Sequence, residues 1–177
     1  HVQVALPLPQ AEGIRFLFGC ETEMGRFMTV GISRARLAEF AFIIVPTTHF
    51  HMVGHTIPAE IVSPADKAAF WLQKLNALLA LDLPFHKIGI AHLTCGLIDR
   101  NRHAFLDTIA AIDRDGMYKA FRNAAKCGVG IELNADDMKC TDAEAEIVLR
   151  PYRIAQEAGC KFYMGSDAHH PKALEDA

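Results

Sequence analysis

The chain has 177 residues, 51% of them hydrophobic and 22% charged, with a formal net charge of −3 and no cluster of lysines or arginines. That length supports one folded domain with a real core. The charge gives a duplex nucleic acid no electrostatic handhold, so an anionic substrate would have to be held by a local site. The longest run without a formal charge, 40–59, holds three histidines and two prolines, a composition unsuited to a bilayer span. No signal-peptide pattern opens the chain. Five cysteines, at 20, 95, 127, 140 and 160, form no CxxC pair. An odd, widely spaced set points to reduced thiols and a cytoplasmic protein.

Short apolar runs alternate with longer amphipathic ones. Ile14–Phe18, Phe42–Val45, Ile88–Ala91, Val129–Leu133 and Phe162–Met164 read as buried strands, each ended by Gly, Pro or polar residues. Ser63-Pro64-Ala65-Asp66 is a helix start with proline at the first helical position. It is followed by Trp71, Leu72, Leu75, Leu78 and Leu79 on one face. A further helix begins near Met117 and stops at Gly128. Thr141-Asp142-Ala143-Glu144 is a second capping box. Its helix should break or kink at Pro151 and end at Gly159. His86 and His103 read as surface residues beside helices. Strand alternating with helix predicts an α/β domain with a mainly parallel sheet, closed as a barrel or open.

Metal-competent residues recur just where the apolar strands end. The first strand runs into Cys20-Glu21-Thr22-Glu23, the second into Thr48-His49-Phe50-His51, and the third into His92. The fourth contains Glu132-Leu133-Asn134, and the fifth runs into Gly165-Ser166-Asp167-Ala168-His169-His170. In parallel α/β folds the carboxyl ends of the strands converge on one face, so these residues should share a pocket. Mixed imidazole and carboxylate donors suit zinc, manganese or iron, and a carboxylate can bridge two ions. With no CxxC or HExxH pattern, the centre would be assembled across the fold. An oxygen-rich multi-metal centre suits phosphoryl chemistry, since the ions neutralise phosphate oxygens and acidify a water. Cys20 and Cys95 lie beside these ligands but read as small buried hydrophobes, outside the site.

In order along the chain, Gly19-Cys20-Glu21, Thr48-His49, Ala91-His92, Glu132-Leu133-Asn134 and Gly165-Ser166-Asp167-Ala168-His169 resemble the successive motifs of the PHP (polymerase and histidinol phosphatase) family. The last motif is the most specific, and the resemblance extends from about residue 14 to 172. It implies a distorted (β/α)7 barrel of PHP type holding two or three divalent metal ions, with zinc, manganese or iron as candidates. The implied activity is hydrolysis of a small phosphorylated substrate by a water activated on the metal. By position, the resemblance makes Glu21 a bridging carboxylate, with Glu23 the alternative at that place. It makes His49, His92, Asp167 and His169 further metal ligands, and Glu132 and Asn134 groups that orient ligands or substrate. No side chain need be the nucleophile.

The family's opening His-x-His is not found before Glu21, and His1 alone cannot be assigned to it. An N-terminus lacking its first strands is therefore expected. Two alternatives to a phosphoesterase stand beside it. One is an amidohydrolase-type metal hydrolase acting on C–N or C–O bonds. The other is a non-catalytic PHP-like binding or scaffold domain.

Overall fold

A computed structural model of the chain describes residues 7–170 and 172; His1 lies outside them. Five strands, β1 (Gly19–Glu21), β2 (Phe42–Pro46), β3 (Ile88–Ala91), β4 (Gly130–Asn134) and β5 (Lys161–Gly165), form one sheet in the order β1-β2-β3-β4-β5. Every neighbouring pair is parallel. Four of the strands lie where the apolar runs predict them. The first does not: the run 14–18 stays outside the sheet, with Ile14 61%, Phe16 40% and Leu17 54% exposed, and pairing begins at Gly19. Gly19 permits that pairing, because a Cβ there would stand 2.8 Å from the Phe42 carbonyl oxygen. Apolarity marks a segment that a sheet would accept, and here the close backbone approach decides which part is accepted.

The helices are α1 (Pro64–Leu79), α2 (Arg102–Ala111), α3 (Arg114–Cys127), α4 (Ala145–Val148) and α5 (Arg150–Glu157). Ser63 caps α1 by accepting the Asp66 amide at 3.1 Å, and Trp71, Leu75, Leu78 and Leu79 are buried as their spacing predicts. The start of α3 comes three residues before the expected one, because Asp113 accepts the Gly116 amide at 2.7 Å and caps it there. Gly128, at φ 78°, ends it. The predicted break near Pro151 falls at Leu149, which separates α4 from α5 and leaves proline in the first turn of α5, where its missing N–H costs nothing. Helix α2 is not foreseen in the sequence: its buried face offers only Phe105, Thr108 and Ile109. Asn101 caps it, accepting the Ala104 amide at 3.1 Å. No helix among the described residues is long and apolar enough to cross a membrane.

A strand order without reversal has a direct consequence. Right-handed crossovers between successive parallel strands place every connecting helix on the same side of the sheet. Helices α1, α2, α3 and α5 pack on one another accordingly. They cover Ile43, Val45, Ile88, Ile90 and Ile131, each no more than 1% exposed. By the two-residue period of a strand, the register puts Glu21, Ile44, Gly89, Gly130, Glu132 and Tyr163 on the opposite face. There the Tyr163 ring lies across Gly130 and Gly89 and meets Phe42 edge-on at 5.2 Å. No pairing joins β1 to β5 among the described residues, and these two strands are the edges of the sheet.

The Tyr163 ring occupies the space a side chain at position 89 would need, with ring atoms 2.5–2.6 Å from a Cβ built there. Gly89→Ala should therefore destabilise the fold by about 1–3 kcal/mol. In a Tyr163→Ala background the same change should cost much less, and urea denaturation of the four proteins reads the coupling. Additive costs would mean that the ring does not occupy that space.

Candidate metal centre

Glu21 is the last residue of β1, His49 lies three residues beyond β2, His92 immediately follows β3, and Glu132 and Asn134 sit in β4. Asp167 lies two residues beyond β5. All the strands run the same way, so these side chains gather along one edge of the sheet. Two groups of three result, each offering ligand atoms within 4.8 Å of one another: Glu21 with Glu23 and His49, and Glu21 with His92 and Asp167. Glu21 belongs to both. Two more groups overlap them, His49 with His92 and Cys95, and His92 with Glu132 and Asp137.

The two imidazoles are buried, His49 at 9% and His92 at 6% exposure, with ring centroids 5.1 Å apart. Each is aimed by a carboxylate. His49 Nδ1 is hydrogen-bonded to Glu23 Oε1. His92 Nδ1 lies 2.9 Å from Asp137 Oδ2, which leaves Nε2 as its free donor. Asp137 is itself fixed by β4, because Asn134 Oδ1 accepts the amides of Asp136 (3.0 Å) and Asp137 (3.4 Å). Glu132 Oε2 accepts the His92 amide at 3.3 Å and faces the Asn134 side-chain amide at 3.5 Å. Gly165 leaves room for that carboxylate, since a Cβ there would collide with it.

Backbone strain falls at the same place. His92 (φ 60°) and Asp167 (φ 49°) are two of three non-glycine residues in the left-handed region among the described residues. A side chain there costs about 1 kcal/mol or more and persists where the surroundings over-determine it. Both residues lie just beyond a strand end.

The electrostatics are unbalanced. Burial raises the Glu132 carboxyl above its ordinary range. Burial also opposes a charge on His92, but the Asp137 carboxylate, with Glu132 and Asp167, outweighs it and lifts the imidazole to about 9. Glu23 Oε2 is buried with no hydrogen-bond partner among the described residues. A buried carboxylate oxygen left unpaired is costly, and a cation within the group of Glu21, Glu23 and His49 would satisfy it.

The residues singled out in the sequence divide cleanly. Glu21, His49, His92 and Asp167 are brought together; Glu132 and Asn134 lie directly behind His92. His169 is not brought in: its side chain is 86% exposed, and its Nδ1 turns back to the Asp167 carbonyl at 2.8 Å. Glu21 and Glu23 both lie within ligand reach of His49. Asp137 escaped the sequence reading. Its one trace there is the Asn134-Ala135-Asp136-Asp137 turn, in which an Asn at the end of a strand accepts the amides two and three residues on. Cys95, read as a small buried hydrophobe, is 4% exposed and lies within ligand distance of both imidazoles.

The Asp137–His92 pair makes the metal-free protein pH-dependent in a defined direction. Its folded-state pKa, about 9, stands above the ordinary 6.5. The stabilisation is therefore complete below about 6.5 and is lost as pH rises through about 9. At most about 3 kcal/mol is involved. Denaturation midpoints of the metal-free chain should fall across that window, and Asp137→Asn should flatten the fall. An unchanged slope in the variant would show that His92 does not carry it.

No protein-family model, curated protein or solved structure matches the chain.

Proposed function

We propose that the chain is a metal-dependent phosphoesterase of PHP type acting on a small phosphate ester. The observation that carries this reading is Glu21, which offers ligand atoms to two adjacent groups at once. A carboxylate placed between two sets of imidazole and carboxylate donors is what a bridged pair of ions requires. The orphaned oxygen of Glu23 and the excess of carboxylates over cations fit the same requirement. When bound, divalent ions such as zinc, manganese or iron would neutralise phosphate oxygens and acidify a water for attack on phosphorus.

The chain's own residues then have distinct tasks. Glu21, Glu23 and His49 would hold one ion, and Glu21, His92 and Asp167 the other. Asp137 holds the His92 ring through Nδ1, which would leave Nε2 for an ion, and Asn134 holds Asp137. Glu132 fixes the strained His92 backbone through its amide. His169 has its ligand role from the resemblance alone, and a (β/α)7 closure likewise. The unreversed strand order and one-sided helix layer are compatible with an arc of such a barrel. An exposed Asp167 leaves the centre approachable from solvent, as a small ester needs.

Protein purified without chelator should carry about two ions per chain by mass spectrometry and hydrolyse a chromogenic phosphate monoester. Asp167→Asn, an exposed change that leaves the core untouched, should lower kcat/KM by at least about 100-fold and remove one ion. Hydrolysis of an amide or lactone but not the phosphate would redirect the reading to an amidohydrolase. Failure to bind metal after reconstitution would leave a binding or scaffold domain.

A further inference from the structure

We infer that Cys95 is a sulfur ligand to the ion on the His49 side of the centre, which makes that position selective for zinc over manganese. The inference rests on the metal-centre reading above and goes beyond it in naming a donor and a metal class. Its ground is geometric. Cys95 Sγ and the ring nitrogens of His49 and His92 lie within 4.8 Å of one another, and all three residues are buried. Donors around one tetrahedral zinc ion, at ordinary Zn–S and Zn–N lengths, stand about 3.5 Å apart, so Cys95 Sγ and the His49 nitrogen need approach by no more than about 1.3 Å.

The chain is built to keep the sulfur there. The left-handed backbone at His92 starts a tight turn, His92-Leu93-Thr94-Cys95, that places the thiol three residues on beside the imidazole that begins it. Thr48, next to His49, locks the two strand ends together: its Oγ1 donates to the His92 carbonyl and lies 3.3 Å from Cys95 Sγ. The amides of Leu97 and Ile98 also reach the sulfur. Backbone N–H groups aimed at a sulfur favour its thiolate, the form that binds metal. Burial works the other way and pushes the free thiol up to about 12, so without an ion the sulfur keeps its proton. On binding, the S–H bond breaks as the metal–sulfur bond forms, and the proton leaves to solvent.

A thiolate is a soft donor that zinc and cobalt(II) accept readily and manganese(II) poorly. The group Glu21, His92 and Asp167 is rich in oxygen and has no such preference. The centre would then be chemically asymmetric, with one zinc-selective position and one permissive position.

Cobalt(II) titration of the metal-free full chain tests this without reference to activity. The expected result is a thiolate-to-cobalt charge-transfer band in the near ultraviolet. Cys95→Ser should lose it while keeping the cobalt d–d bands, and Cys20→Ser should not. Zinc affinity of Cys95→Ser should drop by at least about tenfold, with manganese affinity unchanged. Zinc-edge absorption of the wild-type chain gives the same answer without a variant, as one sulfur near 2.3 Å among nitrogen and oxygen donors. Cobalt or zinc bound through nitrogen and oxygen alone overturns the sulfur ligand and leaves the metal centre standing. Failure to bind either ion overturns both.

Discussion

Five carboxylates, from Glu21, Glu23, Glu132, Asp137 and Asp167, close on two buried imidazoles, His49 and His92, along a single edge of the sheet. Like charges so close repel, and Glu132 and Asp137 are buried among them. The protein meets part of this by holding His92 protonated against Asp137. Divalent cations would meet the rest and would displace that proton, which ties metal uptake to pH. The arrangement makes sense as a cation site in a way that it does not as a structural ion-pair network, since networks of the latter kind normally bring arginines or lysines to the carboxylates.

Buried lysine is present nearby, but it serves the backbone. Lys74 on α1 is fully buried and donates to the Met24 carbonyl at 2.7 Å and the Thr56 carbonyl at 3.3 Å. Thr56 Oγ1 in turn donates to the His49 carbonyl. One ammonium therefore clamps the loop carrying Glu23 to the loop carrying His49. Burial brings Lys74 down to about 8, with the Glu23 charge opposing the fall. The helix layer thus contributes more than a cover for the sheet: it fixes the spacing of two ligand loops from behind, while Asn134 and Asp137 do the same for His92 from β4.

Much of this was legible in the sequence, for physical reasons that also mark where legibility ends. Strands β2, β3, β4 and β5 are short apolar runs closed by breakers, and polar residues at their ends are conspicuous against that background. His49, His92 and Asp167 could be picked out on those grounds, and Glu21 from the motif resemblance. Contacts that depend on how a turn folds could not. Asp137 reaches His92 across 45 positions through an Asx turn, and Cys95 reaches His49 because of a left-handed residue. Neither has a periodic signature. Apolarity misplaced the first strand because Gly19, not Ile14 or Leu17, can approach β2. His169 shares its motif with Asp167, yet the chain turns it to solvent, so motif membership and placement are separate facts.

The central claim is that Glu21 lies between two cations. Anomalous diffraction from crystals of the chain grown with zinc tests it most directly. The account predicts two peaks about 3.5–4 Å apart, with the Glu21 carboxylate bound to both, His49 on one side and His92 with Asp167 on the other. A single peak, or two peaks with Glu21 bound to neither, would contradict it.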